Sequence, residues 1–322
     1  MEQYRSLFID FLMAIPKKKT PTGLYAPIAY IMELGGKRIR PVLTLMATDA
    51  YQGKLDQSLP AALAVELFHN FTLMHDDIMD EAPLRRGQET VHEKWDLNTG
   101  ILSGDALLVQ AYQALEAYPG ELHSKLTRLL SQTALEICEG QQYDIDFEQQ
   151  KQTTIAAYLE MIRLKTAVLV GCALKMGAYI AGREEEEAQK IYDFGIALGM
   201  AFQIQDDYLD AFGDPNSFGK QLGGDIIENK KTILYHKALH LGTEEQKKEL
   251  EQWFESKGDN KAEEKIEAVK QLFIATTAAE ASQELMQNYT QQAFKLLEIL
   301  KVNEQGKKVL RTFANQLMQR QS

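Results

Sequence analysis

Residues 63–80 read LAVELFHNFTLMHDDIMD, and they show the clearest helical periodicity in the sequence. Its apolar residues recur at the three- and four-residue spacing of one helix face, at Leu63, Leu67, Phe71 and Met74. The same spacing continues through most of the 322 residues, whereas the alternation typical of a β-strand is hard to find. The sequence therefore predicts an all-α fold.

Glycine, proline and asparagine interrupt this helical pattern and divide it into roughly ten helices. The breaks lie at residues 16–21, 35–36, 53–60, 83–90, 119–120, 213–224 and 257–260. None of them is long enough to be read as an interdomain linker. We therefore expect one domain that spans residues 1–322.

The composition argues against several classes of protein. A formal net charge of −11 would repel a nucleic-acid backbone, so no nucleic-acid partner is expected. The chain has two cysteines, Cys138 and Cys172, without a CxxC pair, which favours neither a disulfide framework nor a zinc site. No apolar run approaches the ~20 residues that cross a bilayer, and the first residues are unlike a signal peptide. A cytoplasmic protein without integral membrane segments is the simplest interpretation.

Two aspartate clusters share one spacing: 76–80 reads DDIMD and 206–210 reads DDYLD. Residues four apart on a helix lie one above the other, so each cluster offers a pair of carboxylates, Asp76 with Asp80 and Asp206 with Asp210. Carboxylates without histidine or cysteine suit a hard cation, and Mg²⁺ binds through one or two carboxylates, water and substrate phosphate. The pattern predicts a site for a magnesium-bound diphosphate.

Either cluster alone is better explained as an acidic helix end that faces solvent. The repeat of the pattern and the apolar residues beside both clusters favour a cavity mouth instead. Basic residues that could neutralise phosphate follow a Gly-Gly turn and the first cluster, at Lys37, Arg38, Arg40, Arg85 and Arg86.

With these motifs the sequence resembles the trans-isoprenyl diphosphate synthases, the farnesyl and geranylgeranyl diphosphate synthase (polyprenyl synthetase) family, over nearly the whole chain. The segments that carry the resemblance are both aspartate clusters and residues 35–41 (GGKRIRP), 85–87 (RRG), 140–144 (GQQYD), 165–166 (KT), 202–203 (FQ) and 219–220 (GK). The resemblance implies an isoprenoid synthase helical bundle around a deep central cavity, commonly a homodimer. It also implies the Mg²⁺-dependent condensation of isopentenyl diphosphate with allylic diphosphates.

Matching positions imply the roles of individual residues. Isopentenyl diphosphate is expected at Lys37, Arg40, His69 and Arg86. The allylic diphosphate is expected at Arg85, Lys165, Thr166, Gln203, Lys220 and Lys230, with Lys231 as an alternative to Lys230. The expected metal ligands, for three Mg²⁺ ions with bound diphosphate, are Asp76, Asp80, Asp206, Asp210 and, directly or through water, Asp144. Those expected to take part most directly in catalysis are Asp76, Asp80, Asp206, Lys165 and Lys220.

The middle aspartates, Asp77 and Asp207, point away from their neighbours and are expected to hydrogen-bond basic residues instead of binding metal. No protein general base is assigned, because the resemblance implies that released pyrophosphate accepts the proton. His75 lies on a different helix face from His69 and is expected to be structural.

Product length is expected to depend on Phe71, which precedes Asp76 by five residues and so lies about 7.5 Å deeper along the helix. Its ring would form the floor for the growing chain, beside the small Thr72. By resemblance, this pair favours geranylgeranyl over farnesyl diphosphate as the product. A terpene cyclase and a non-catalytic regulatory subunit of a prenyl synthase are the remaining alternatives. The second aspartate cluster and the intact basic motifs disfavour both.

Overall fold

A computed structural model describes residues 1–16, 18–150, 153–214, 222–256 and 262–319. Within these ranges the chain forms sixteen α-helices and one two-stranded hairpin, so the prediction of an all-α fold is confirmed. The chain divides into two compact units. The first comprises Met1–Gln132, Cys172–Gln189 and Lys301–Val309, and the second comprises Thr133–Gly171, Lys190–Leu300 and Leu310–Ser322. A single domain over residues 1–322 stays a prediction.

The helices of the N-terminal part are α1 (Glu2–Ala14), α2 (Thr22–Glu33), α3 (Ile39–Ala50), α4 (Leu55–Met79), α5 (Val91–Lys94) and α6 (Leu97–Ala114), followed by a 3₁₀ turn (Leu115–Ala117). The antiparallel hairpin of β1 (Leu84–Arg85) and β2 (Gln88–Glu89) lies between α4 and α5. This hairpin was not predicted, because two-residue strands leave no alternating pattern to read.

The middle of the chain forms α7 (Gly120–Gln149), α8 (Ile155–Ile162), a π-helical turn (Arg163–Ala167), α9 (Val168–Ile180) and α10 (Glu185–Phe212). The remaining helices are α11 (Gly224–Ile227), α12 (Ile233–Leu241), α13 (Glu244–Glu255), α14 (Ala262–Ala275), α15 (Ala278–Ile299) and α16 (Glu304–Met318). The helix count exceeds the predicted ten, in part because short helices such as α5 and α11 form directly after predicted breaks, where they were not counted separately.

In the first unit, α4 packs against α3 and α6, and α2 packs against α6. Its core contains fully buried large side chains such as Leu43, Phe68 and Leu107. Asp96 is the N-cap of α6, and its carboxylate accepts a hydrogen bond of 2.8 Å from the backbone N–H of Thr99. These contacts fix the C-terminal end of α4, where the first aspartate motif lies.

The second unit contains two apolar clusters. One cluster joins α8, the π-helical turn, α10 and α12 through residues that include Met161, Ala167, Ile204 and Ile233. The other cluster contains residues of helices α12, α13, α14 and α15 and is centred on Phe273. Two residues of the first cluster, Tyr158 and Ile233, hydrogen-bond Asp207 of the second aspartate motif.

None of the helices in the described part of the chain has the length and hydropathy that crossing a bilayer requires.

Candidate active site

The first aspartate motif ends α4 and divides its carboxylates between solvent and core. Asp77 is 2% exposed, whereas Asp76 is half-buried and Asp80 is exposed. Arg85 donates from Nε to both carboxylate oxygens of Asp77 at 2.8 Å, and its Nη2 lies 2.6 Å from Oδ1. The prediction that Asp77 bonds a basic residue is therefore confirmed. The side chains of Asp76 and Asp80 share the helix face expected for a metal.

The hairpin carries Arg85 and Arg86 and is fixed to the loop after α2. Arg86 donates from Nη1 to the carbonyl oxygen of Gly35. Gly36 has a φ of +120°, and a Cβ atom there would lie 2.8 Å from the Arg86 guanidinium, so only glycine fits. The Tyr30 hydroxyl donates to the carbonyl oxygen of Glu89 at 2.8 Å and holds the other strand.

A cationic cluster surrounds His69 in the first unit. The Nη1 atom of Arg40 lies 3.0 Å from Nε2 of His69. Burial, followed by the positive charges of Arg40, Arg86, Arg85 and Arg38, holds the pKa of His69 well below its usual value. His69 is therefore neutral and accepts the Arg40 hydrogen bond at Nε2, which orients the arginine.

The other residues of the GGKRIR loop differ in exposure. Lys37 is exposed, whereas Arg38 is 7% exposed. Arg38 donates to the carboxylate of Glu66 and to the carbonyl oxygen of Met32. Arg38 therefore has a structural role, and it was not among the expected substrate ligands.

Phe71 lies half-buried on α4, with its ring centroid 5.6 Å from that of Phe68 and 4.8 Å from that of His75. Thr72 donates from Oγ1 to the carbonyl oxygen of His69 at 2.9 Å. The Nε2 atom of His75 lies 3.2 Å from the carbonyl oxygen of Ile101, as expected for a structural histidine. Phe71 therefore adjoins an aromatic group whose placement is fixed by α6.

In the second unit, a cavity of about 170 Å³ gathers most of the side chains expected at the allylic diphosphate. Its lining includes Asp144, Lys165, Thr166, Gln203, Asp207, Asp225, Lys230 and Lys231. Lys165 Nζ lies 2.6 Å from Oδ2 of Asp144, and Thr166 donates from Oγ1 to Oε1 of Gln203 at 3.1 Å. The predicted metal ligand Asp144 and the predicted phosphate ligand Lys165 thus form one ion pair.

The backbone around Lys165 and Thr166 is a π-helical turn, a feature that often marks functional sites in helices. Helix α7 approaches this turn closely, because a Cβ atom at Gly140 would lie 2.4 Å from the backbone nitrogen of Lys165. Gly140 therefore allows Asp144, one turn later on α7, to reach Lys165.

Asp207, the middle residue of the second motif, is 4% exposed. It accepts hydrogen bonds from the Tyr158 hydroxyl, from Gln203 Nε2 at 3.0 Å and from the backbone N–H of Ile233 at 3.4 Å. Burial raises its pKa to about 6, against the opposing effect of these bonds. The expectation of a basic partner was wrong for Asp207, because α8, α10 and the start of α12 supply neutral donors.

The side chains of Lys230 and Lys231 have different partners in the structure. Lys231 donates from Nζ to the carbonyl oxygen of Phe147 at 3.1 Å and to that of Gln150, and so caps the end of α7. Lys230 Nζ forms an ion pair of 2.7 Å with Glu228 and remains partly exposed. This arrangement favours Lys230 as the substrate ligand. The remaining expected ligand, Lys220, lies outside the described residues.

One acidic residue of this cavity was missed in the sequence. The backbone N–H of Asp225 donates to Oδ2 of Asp210 at 3.0 Å. Burial, followed by the charges of Asp210 and Asp207, raises the pKa of the Asp225 carboxyl to about 8. The available signal was an aspartate directly after Gly223-Gly224, but it lacks the four-residue repeat that identified the two motifs.

Replacing Asp225 with asparagine is expected to stabilise the metal-free protein increasingly as pH rises. Between its ordinary pKa of 3.8 and about 8, the unfolded chain loses a proton that the folded chain retains, so rising pH disfavours folding of the native protein. Asparagine removes this dependence. The gain in Tm, measured in EDTA, should grow from pH 4 to about 8 and then level off. The control Glu284→Gln, at an exposed position, should give a gain near zero at every pH. A gain for Asp225→Asn that does not change with pH would contradict the prediction.

The residues fit Mg²⁺ as ligands by their chemistry. No group of three or more histidine, cysteine, aspartate or glutamate side chains in the described ranges could hold a metal ion alone. Mg²⁺ characteristically uses one or two carboxylates together with water and phosphate. The pKa of Asp225 is raised partly by neighbouring carboxylates, which indicates an acidic cluster. A bound cation would reduce the repulsion between these carboxylates.

Comparisons with known proteins agree with these features. The family model described as "Polyprenyl synthetase" matches residues 21–272. A geranylgeranyl pyrophosphate synthase from Geoglobus acetivorans is 38% identical over 88% of this chain and 87% of its own length. A geranylgeranyl diphosphate synthase from Methanosarcina mazei is 42% identical over 73% of this chain and 72% of its own. A crystal structure of a geranylgeranyl pyrophosphate synthase matches with a TM-score of 0.96 at 50% identity, over 100% of this chain and 99% of that one. The chain therefore belongs to the polyprenyl synthetase family of trans-isoprenyl diphosphate synthases and has the all-α isoprenoid synthase fold.

Proposed function

We propose that this protein is a Mg²⁺-dependent short-chain prenyltransferase that condenses isopentenyl diphosphate with allylic diphosphates to make geranylgeranyl diphosphate. The observation that carries the proposal is the cavity of the second unit. There Lys165, Thr166, Gln203 and Lys230 line one space, although they come from separate parts of the chain. These are cations and hydrogen-bond donors, as a diphosphate requires.

Mg²⁺ would be held by Asp76 and Asp80 of the first motif and by Asp206 and Asp210 of the second, with Asp144 as a further candidate. When bound, it would supply positive charge that makes pyrophosphate a better leaving group. Three ions, the number implied by the resemblance, remain part of this proposal.

Two different sets of side chains would bind the two substrates. Arg40, oriented by neutral His69, would bind isopentenyl diphosphate together with Lys37 and Arg86. Arg85, oriented by Asp77, would bind the allylic diphosphate with Lys165, Thr166, Gln203, Lys220 and Lys230. Fixed donors of this kind stabilise the charge that develops on the leaving group without reorganising during the reaction.

Condensation follows from loss of the allylic diphosphate. The bond between the allylic carbon and its oxygen breaks, and the electron pair leaves with pyrophosphate. The double bond of isopentenyl diphosphate then attacks the allylic carbocation, and a proton lost to pyrophosphate completes the new allylic chain. Exclusion of water by apolar side chains protects the cation from hydrolysis.

The geranylgeranyl product is proposed from the Phe71 and Thr72 pair and from the names of the relatives at 38–42% identity. Farnesyl diphosphate is the alternative product. A phenylalanine ring five residues before Asp76 would stop chain growth, whereas Thr72 leaves room beside it.

The release of inorganic pyrophosphate tests this function. We expect release only when isopentenyl diphosphate, a farnesyl or geranyl primer and Mg²⁺ are all present. Release from the primer alone would identify a terpene cyclase. No release under any condition would support a regulatory subunit. Addition of EDTA should stop the reaction.

We propose a homodimer that uses the outer face of α6. Apolar side chains are exposed there at Ile101 (40%), Leu102 (61%) and Val109 (56%), with a spacing that places them along one side of the helix. The double variant Leu102→Lys/Val109→Lys should reduce the mass measured by light scattering from twice 36.5 kDa to 36.5 kDa.

Ile274→Lys, an exposed apolar position on α14, is the matched control and should leave the dimer intact. A double variant that stays dimeric would show that this face is not the dimer interface.

The cytoplasmic location and the lack of a nucleic-acid partner stay predictions.

A further inference from the structure

A hydrogen-bonded chain in the second unit begins at Tyr158, a residue that no substrate role explains. Tyr158 lies on α8 and is 4% exposed. Its hydroxyl donates to Oδ2 of Asp207, and Oδ1 of the same carboxylate accepts from Nε2 of Gln203 at 3.0 Å. Oε1 of Gln203 accepts from the Thr166 hydroxyl at 3.1 Å. This series of hydrogen bonds therefore connects Tyr158 to two expected diphosphate ligands, Gln203 and Thr166.

The direction of these bonds follows from the chemistry of the groups. An ionised carboxylate only accepts hydrogen bonds, so the amide of Gln203 must turn its nitrogen toward Asp207. Nε2 carries two hydrogens, and one of them is used in this contact. The oxygen of the amide then faces Thr166. The second N–H of Gln203 is left for the cavity that Gln203, Thr166 and Asp207 line together.

The surroundings of Tyr158 keep its hydroxyl a donor. Burial and the charge of Asp207 raise the pKa of Tyr158 well above its usual value, so the hydroxyl keeps its proton. Behind it, the ring of His236 lies 5.3 Å away, and His236 Nε2 lies 3.2 Å from Oγ1 of Thr153. Burial lowers the pKa of His236 to about 4, so this ring is neutral and does not compete for Asp207.

We propose that Tyr158 is a positioning residue for the allylic diphosphate, which acts by holding Asp207 so that the amide nitrogen of Gln203 faces the substrate. This inference rests on the proposed function. Without the Tyr158 hydroxyl, the carboxylate loses one of its donors and the broad terminal torsion of Gln203 is less restricted. The expected loss is therefore in the binding of one substrate, not in the fold.

The test is Tyr158→Phe, with geranyl S-thiolodiphosphate as a non-ionising probe of allylic binding in the presence of Mg²⁺. We expect its Kd to rise about tenfold, the loss typical of one hydrogen bond to a charged group. The KM for isopentenyl diphosphate should stay within about twofold. Tyr235→Phe is the matched control, because Tyr235 is equally buried but lies in the other apolar cluster; it should leave the Kd unchanged.

A double-mutant cycle separates positioning from a general structural effect. If Tyr158 acts through Gln203, adding Tyr158→Phe to Gln203→Ala should weaken probe binding no further. Additive losses would overturn the proposal, as would a Tyr158→Phe variant that binds the probe as tightly as the native protein. A parallel rise of both substrate constants with a large fall in Tm would also overturn it.

A second variant covers the case in which Tyr158→Phe does not fold. Asp207→Asn keeps the shape but places one amide nitrogen among the donors of Tyr158, Gln203 and Ile233, so Gln203 is held less firmly and we expect a similar loss of probe binding. Native-like binding by that variant would reject the inference. Failure of the proposed function is distinguishable, because the native protein would then release no pyrophosphate from isopentenyl diphosphate and a primer, or would release it from the primer alone, whatever the variants do to probe binding.

Discussion

Replacing Asp76 with asparagine is expected to lower kcat by about 10³-fold at saturating Mg²⁺, the scale observed when one group that stabilises developing charge is removed. Asp76 and Asp80 lie one turn apart at the end of α4, a spacing at which two like charges weaken a helix slightly. Thermal stability should therefore be unchanged or slightly higher. Steady-state kinetics and thermal unfolding of the same sample measure both effects.

The control is Asp56→Asn, in the first turn of the same helix, which should retain native turnover. A loss of activity in Asp76→Asn that accompanies unfolding would show a structural role. Turnover within tenfold of the native protein would contradict the assignment of Asp76 as a metal ligand.

Replacing Phe71 with alanine is expected to shift the main product to chains longer than geranylgeranyl diphosphate. The ring is half-buried against Phe68 and His75, and its removal opens space about 7.5 Å from Asp76 along the helix. The stability cost should be smaller than the about 3–5 kcal/mol of a fully buried phenylalanine. Chromatography of the dephosphorylated products measures the chain length.

Thr72→Ala is the matched control, because it removes only one methyl group and the hydroxyl that bonds the His69 carbonyl, and it leaves the Phe71 ring in place. We expect it to keep the native product length. An unchanged product distribution in Phe71→Ala would reject the floor and direct attention to residues on other helices.

The helical fold and the two aspartate motifs could be predicted from the sequence because both depend on short-range periodicity. Residues three and four apart share a helix face wherever the helix lies. The same rule predicted that Asp77 points away from Asp76 and Asp80 and bonds a basic residue. Its hydrogen bond with Arg85 confirms that prediction. Local spacing was sufficient for these features.

Partners that depend on packing between distant segments could not be read in this way. Asp207 obeys the same helical geometry as Asp77, but its partner Tyr158 is 49 residues away and no spacing rule connects them. Lys231 caps a helix that ends more than eighty residues earlier, so sequence alone could not separate it from Lys230. Asp225 was missed because burial, not sequence pattern, perturbs its carboxyl.

We propose that this protein elongates allylic diphosphates to geranylgeranyl diphosphate. The most direct measurement incubates purified protein with Mg²⁺, labelled isopentenyl diphosphate and, separately, dimethylallyl, geranyl and farnesyl primers, and determines product chain length. Geranylgeranyl diphosphate as the main end product from all three primers is the predicted result. No elongated product, or a cyclic hydrocarbon, would show that the protein does not have this activity.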